Sequence, residues 1–215
     1  MPLRTEAVIF DCDGVLVDSE PVSNRVLAEC LTAAGLPHTI DDCYRDYMGR
    51  SLEQCLVLAA GRHGRELPVD FRETYHDALA AAVVLELEPV PGIAAVLEDL
   101  ALPWCVASSG PHEKMRLTLG HTGLLARCED RLFSAADVGR GKPEPDLFLH
   151  AARSMGFDPA RCAVVEDSPA GAVAGRRAGM RVLGYAARTD PAALAGEGAE
   201  VFDEMRALPD LLASR

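Results

Sequence analysis

The hydrophobic pattern predicts a strand near the beginning of the chain, then a long helical stretch, and then strands that alternate with helices. Residues 6–10 form a short apolar run that predicts a buried strand. From residue 19 to about residue 85 the apolar spacing is helical, and it predicts helices over 19–35, 40–47, 51–63 and 71–85. No strand pattern interrupts this stretch, so we expect an all-helical insertion of about 70 residues.

After Pro91 the alternation of strand and helix resumes. Strands are predicted at 104–107, 131–133, 162–165, 181–183 and 199–202. Helices are predicted over 93–100, from Pro111 onward, and over 144–155 and 169–178. No helix is predicted over residues 192–199, which are rich in Ala and Gly. Alternating units of this kind favour a parallel sheet with helices on both faces. We therefore expect an α/β core at 1–16 and 88–215 and a helical cap at 17–87.

Composition narrows the functional classes. The 215 residues carry a net charge of −12, and 49% are hydrophobic, which excludes a disordered chain. The acidic balance argues against a nucleic-acid partner. The longest apolar run, residues 78–85, is too short to span a membrane, and residues 1–6 lack the apolar segment of a secretory signal. Seven cysteines without a C-x-x-C spacing indicate reduced thiols, so we expect a cytoplasmic protein.

Polar residues follow three of the predicted strands. Asp11 and Asp13 follow the first, Ser108 and Ser109 the second, and Glu166 and Asp167 the fourth. Ligands of open α/β sheets bind beyond the carboxyl ends of the strands, so these residues should converge. Lys142 lies in a loop stiffened by Pro143 and Pro145, and it is one of only two lysines against 19 arginines. A lysine retained in such a chain suggests that a compact point charge is required.

Four carboxylates in one crevice repel one another unless cations offset them, and Lys142 supplies a single charge. A hard divalent cation with oxygen ligands would resolve this, and Mg²⁺ fits a site made of carboxylates and phosphate. No His or Cys cluster accompanies these residues, which argues against zinc.

Four stretches resemble the signatures of the haloacid dehalogenase-like hydrolase superfamily: DCDGVLVDSE at 11–20, SSG at 108–110, GKP at 141–143 and VEDS at 165–168. The resemblance spans the whole chain and implies a Rossmann-like parallel core with an inserted helical cap. The subgroup is similar to sugar-phosphate phosphatases and β-phosphoglucomutase, and phosphatases of sugar-acid phosphates look most similar.

The resemblance implies a role for each residue. Asp11 would be the nucleophile that accepts the phosphoryl group, and Asp13 the general acid and base, with its backbone carbonyl facing the metal. Ser108 would donate to phosphoryl oxygens, helped by the N–H groups of Ser109 and Gly110.

The remaining predicted roles concern charge and the metal. Lys142 would offset charge on the nucleophile and the phosphoryl group. Asp11, Asp13 and Asp167 would hold Mg²⁺, and Glu166 would bind it directly or through water.

Four alternative activities can be compared with the sequence, because each would have or lack particular residues or segments. A dehalogenase would lack Asp13, and a phosphonatase would carry a cap lysine that is absent here. A phosphosugar mutase would have a His and an Arg where this chain has Ser23 and the neighbourhood of Leu52. A phospho-accepting receiver domain would carry neither Asp13 as a proton donor nor the helical insertion.

Hydrolysis of a phosphate monoester is therefore expected, with a small phosphorylated sugar or sugar acid such as 6-phosphogluconate as substrate. Arg45 and Arg50 are candidates for holding its carboxylate or a second phosphate. We expect no nucleic-acid or membrane partner, and a monomer or weak dimer.

Overall fold

A computed structural model describes residues 4–47 and 52–214 and divides the chain into two compact units. The first comprises Met1–Asp18 and Glu88–Arg215, and the second is the intervening Ser19–Leu87. In the part of the chain that the structure describes, no helix is both long and apolar enough to cross a membrane.

A parallel sheet of six strands forms the centre of the first unit, which confirms the predicted fold class. The strands are β1 (Ala7–Phe10), β2 (Trp104–Ser108), β3 (Leu132–Ser134), β4 (Cys162–Glu166), β5 (Arg181–Tyr185) and β6 (Glu200–Phe202). Their spatial order is β3-β2-β1-β4-β5-β6. All four residues of β1 are fully buried, and this central strand has a parallel neighbour on each side.

In its described residues the second unit contains helices and no strand, as the pattern predicts. Its helices are α1 (Ser19–Ala33), α2 (Ile40–Tyr47), α3 (Leu52–His63) and α4 (Phe71–Glu86). Helix α1 packs against α4, and Leu27, Leu31 and Val83 are buried in this unit. Arg25 of α1 donates to both oxygens of Glu86 on α4, at 3.1 and 2.7 Å.

The remaining helices, all in the first unit, are α5 (Ile93–Asp99), α6 (His112–His121), α7 (Asp146–Met155), α8 (Pro169–Arg177), α9 (Pro191–Gly196) and α10 (Leu208–Ala213). Helices α6, α7, α8 and α9 contact strands of the sheet. Phe148 and Ala151 of α7 pack with Ile9 and Val164 of the sheet. The short helices α9 and α10 are not predicted from the sequence. In α9 the side chain of Asp190 accepts from Ala192 N–H and Pro191 follows directly, which is a start signal inside an Ala/Gly-rich stretch.

The chain leaves β1 through a tight turn that ends at the insertion. Gly14 has φ +78°, and its N–H donates to Val17 O at 2.8 Å. The N–H of Asp18, the last residue before the insertion, donates to Glu88 O at 2.9 Å. The two chain ends of the insertion therefore leave the core unit side by side.

Candidate active site

The carboxyl ends of three central strands meet at one edge of the sheet. Phe10 lies opposite Val106 on one side and Val165 on the other, so the residues that follow are brought to the same level. Asp11 continues this register, since its N–H donates to Val165 O at 2.9 Å. Asp11, Ser108 and Glu166 thus share the edge that the sequence assigns to them.

Lys142 bridges the two buried carboxylates of this edge. Its Nζ lies 2.6 Å from Asp11 Oδ1 and 2.5 Å from Glu166 Oε1. The Lys142 side chain is only 6% exposed. Burial alone would lower the pKa of Lys142, but the charges of Asp11 and Glu166 outweigh burial and raise it. Lys142 is therefore a fixed positive charge inside the site.

Glu166 is fully buried and held from both sides. Its Oε2 accepts from the Ser168 N–H at 2.7 Å and from the Ser168 hydroxyl at 2.9 Å, while Oε1 contacts Lys142. Gly171, in the first turn of α8, passes so close that a Cβ there would overlap the Glu166 carboxylate. The glycine is thus a requirement of the carboxylate's position, a constraint that the sequence reasoning missed.

Three carboxylates are placed to share a cation. One oxygen each of Asp11, Glu166 and Asp167 lie within 4.8 Å of one another. Gly14 makes room for this, because a Cβ at Gly14 would overlap Asp167. An all-oxygen donor set with a single lysine charge beside it suits a hard divalent cation. These residues therefore fit the divalent metal that the sequence predicts, whereas Asp13 lies outside this group of side chains.

The environment of Asp11 sets its protonation. The pKa of Asp11 is raised to about 7: burial is the largest cause, Lys142 opposes it, and the charges of Glu166 and Asp13 add to the rise. A divalent cation on the same carboxylates would lower this pKa again, because it favours the ionised form. Burial and the charges of Asp13 and Asp11 raise the pKa of the neighbouring Cys12 thiol well above its ordinary value. Cys12 is therefore a neutral thiol and a poor nucleophile.

Asp13 has a partner that the sequence reasoning missed. Lys114, on the first turn of α6, places its Nζ 2.6 Å from Asp13 Oδ2. Burial lowers the pKa of Lys114, but the charge and hydrogen bond of Asp13 outweigh burial and raise it. The signal was the scarcity of lysine: both lysines of the chain contact carboxylates at this edge.

The loop after β2 is held by one hydrogen bond within it and one from β3. The Gly110 N–H donates to Ser108 Oγ at 3.0 Å, and Ser134 Oγ donates to Gly110 O at 2.8 Å. This N–H, which the sequence assigns to phosphate, is therefore engaged with Ser108, whose hydroxyl hydrogen remains to be donated. Ser109 is exposed beside it.

The predicted substrate-binding arginines lie apart from these groups in the chain. Arg45, at the end of α2, is 59% exposed and pairs with Asp42 and Asp46 of the same helix. Arg50 lies outside the described residues, so its role stays a prediction from the sequence.

A buried carboxylate beside a fixed ammonium, with oxygen donors for a cation at the carboxyl ends of a parallel sheet, is an arrangement suited to phosphoryl transfer. The model of the haloacid dehalogenase-like hydrolases matches residues 5–179. The chain belongs to this family.

Individual relatives cover nearly the whole chain. The 6-phosphogluconate phosphatase of Escherichia coli K12 is 33% identical over 99% of this chain and 96% of its own length. Hexitol phosphatase A of the same organism is 31% identical over 87% of this chain and 86% of its own length. A crystal structure of a haloacid dehalogenase-like protein from Agrobacterium tumefaciens superposes with a TM-score of 0.90 at 32% identity, covering 98% of each chain. The protein is accordingly a phosphatase.

Proposed function

We propose that this phosphatase uses Mg²⁺ to hydrolyse the phosphate monoester of a small sugar acid or sugar alcohol, through a phosphorylated Asp11. The observation that carries the proposal is the buried Asp11–Lys142–Glu166 cluster, with Asp13 two residues beyond Asp11. The names of the two curated relatives, a 6-phosphogluconate phosphatase and a hexitol phosphatase, support the substrate class.

In the first step an oxygen of Asp11 attacks phosphorus, and the bond from phosphorus to the sugar oxygen breaks. The departing oxygen takes a proton from Asp13, so that an alcohol leaves rather than an alkoxide. Lys142 offsets negative charge on Asp11 and on the phosphoryl group, and the Ser108 hydroxyl donates to a phosphoryl oxygen.

In the second step a water attacks the same phosphorus and gives its proton to the Asp13 carboxylate. The bond between phosphorus and the Asp11 oxygen breaks, and inorganic phosphate is released. Asp13 regains its proton, and Asp11 regains its free carboxylate.

The carboxylates of Asp11, Glu166 and Asp167, with the backbone carbonyl of Asp13, would hold Mg²⁺. Glu166 would bind it directly or through water. When bound, the cation supplies positive charge that balances the carboxylates and the phosphoryl oxygens.

Phosphate release tests the proposal across a panel with Mg²⁺: 6-phosphogluconate, a hexitol 6-phosphate, glucose 6-phosphate and a hexose 1-phosphate. We expect the highest kcat/KM for one of the first two, and no turnover in EDTA. Isomerisation of the hexose 1-phosphate without phosphate release would instead indicate a mutase. A stable phosphoprotein with no release would indicate a receiver domain.

The Arg45 hypothesis can be tested with a neighbouring control. Arg62 of α3 pairs with the same Asp42 and Asp46. If Arg45 holds the sugar-acid carboxylate, Arg45→Gln raises KM for 6-phosphogluconate but not for a hexitol phosphate, and Arg62→Gln changes neither. If the unmodified chain and both variants have the same KM for 6-phosphogluconate, Arg45 does not bind the substrate.

A further inference from the structure

The carboxylate of Asp13 has two unlike oxygens. Oδ1 is shielded from solvent and has no hydrogen-bond partner among the described residues. Oδ2 contacts Lys114 at 2.6 Å, and the Asp13 side chain as a whole is 32% exposed. Proton exchange with a substrate or a water therefore belongs to Oδ2, and that is the oxygen Lys114 holds.

The contact suits positioning better than stability. The Lys114 side chain is 41% exposed, and ion pairs of this exposure contribute little to folding. A carboxyl group turns about its last bond without a strong preference, so one firm contact decides where the reactive oxygen lies. Nζ can donate to Oδ2 whether or not this oxygen carries a proton, since a hydroxyl oxygen keeps lone pairs.

The surroundings of Lys114 fix its path toward Asp13. Helix α6 begins directly after the loop of Ser108 and Gly110, and a Cβ on Gly110 would press on Cδ of Lys114 at 3.3 Å. The absence of a side chain at Gly110 thus leaves room for the lysine stem. In a chain with 19 arginines and two lysines, the slim, single-point donor stands at this position.

We propose that Lys114 is a positioning residue that fixes Oδ2 of Asp13 for proton transfer to the leaving oxygen. The inference rests on the role of Asp13 given under the proposed function. It adds a second lysine to the site, one that acts on the acid rather than on the nucleophile.

The test uses leaving groups that need the acid to different extents. An alkyl phosphate of the panel requires a proton on its departing oxygen, whereas p-nitrophenolate departs as a stable anion. Because kcat/KM covers the steps up to cleavage of the first phosphorus–oxygen bond, the later attack by water does not enter. We expect Lys114→Met to lower kcat/KM for the alkyl phosphate by about 10²-fold, as misplaced catalytic groups do, and to leave p-nitrophenyl phosphate nearly unchanged.

Two further variants control for charge and fold. Lys114→Arg keeps a donor at the site and should restore part of the loss. Arg116→Met removes an exposed positive charge from the same helix and should leave kcat/KM unchanged for both substrates. Turnover of p-nitrophenyl phosphate also reports that each variant is folded.

Asp13→Asn separates this inference from the proposed function. If Asp13→Asn lowers kcat/KM for the alkyl phosphate alone and Lys114→Met does not, the positioning role of Lys114 is wrong. If Lys114→Met lowers kcat/KM equally for both substrates, the role of Lys114 is structural, and the inference also fails. If Asp13→Asn itself shows no selective loss, Asp13 is not the acid, and both proposals fall.

Discussion

Two clusters of opposite charges differ in their burial. At the edge of the sheet, Asp11, Lys142 and Glu166 are buried together. In the helical unit, Arg45 and Arg62 pair with Asp42 and Asp46, and the two arginines are 59% and 43% exposed. Exposed pairs form at little cost and contribute little to stability, whereas burying charges costs on the order of several kcal/mol per ion. A cluster that bears this cost needs a compensating role such as chemistry, whereas the exposed cluster is expected to contribute little to folding.

The largest difference is expected for loss of a carboxylate from each cluster. Asp11→Asn keeps the size of the side chain but removes the nucleophile, so phosphate release should fall by at least about 10⁴-fold. Asp46→Asn makes the same chemical change in the exposed cluster and should leave the rate nearly unchanged. Steady-state phosphate release with Mg²⁺ measures both, and a near-normal rate for Asp11→Asn would refute its assignment as nucleophile.

Loss of a cation compares the two clusters in stability. Lys142→Met leaves two buried carboxylates facing each other, and we expect the free energy of unfolding to fall by about 3–5 kcal/mol. Arg62→Met removes an exposed cation and should lower the free energy of unfolding only slightly. Urea unfolding in EDTA measures both without a compensating metal. Similar losses for the two variants would show that burial does not distinguish these clusters.

Two helical glycines offer a third comparison. Gly171→Ala would push the Glu166 carboxylate from its place, so we expect the Mg²⁺ concentration for half-maximal activity to rise about 10- to 100-fold. Gly61 of α3 has open space where its Cβ would be, and Gly61→Ala should stabilise the chain by up to about 1 kcal/mol. Metal titrations of activity and thermal melts measure these effects. An unchanged metal requirement in Gly171→Ala would mean that the Glu166 position is not needed to bind the cation.

The smallest effect concerns Asp137, a partly buried carboxylate outside both clusters, whose side chain is 30% exposed. Partial burial raises the pKa of Asp137, but the Ser134 N–H and His112 outweigh this and lower it below the ordinary value of 3.8. A lowered pKa means that folding favours the ionised form. The contribution is complete above the ordinary pKa and is lost as the pH falls through the lower, folded value.

Asp137→Asn should therefore cost about 1 kcal/mol at pH 7 and progressively less on acidification. Urea unfolding at neutral and acidic pH measures the difference from the unmodified chain. A cost that does not shrink toward low pH would contradict the ionic origin of the contribution.

The sequence carries much of the fold because the central strands β1, β2 and β4 are short apolar runs that end at polar residues. In β1, for example, Ala7–Phe10 lead directly into Asp11, and this pattern defines both a strand and its functional end. Helix α9 could not be predicted from the sequence, because its six residues are mostly Ala and Gly and show no amphipathic pattern.

The contacts between side chains are less predictable than the elements. Lys114 lies 101 positions from Asp13, and only the rotation of α6 about its axis decides that they meet. Gly171 is five residues from Glu166, but its role depends on how closely α8 passes the end of β4. Such distances depend on tertiary packing, which no local pattern of residues encodes.

The hydrogen bond from Asp18 N–H to Glu88 O has an evolutionary consequence. An insertion whose two ends leave a scaffold side by side can be lengthened, shortened or exchanged without shifting the registers behind it. Descendants of such a gene can acquire new selectivity by replacing one contiguous segment while the inherited reaction is preserved.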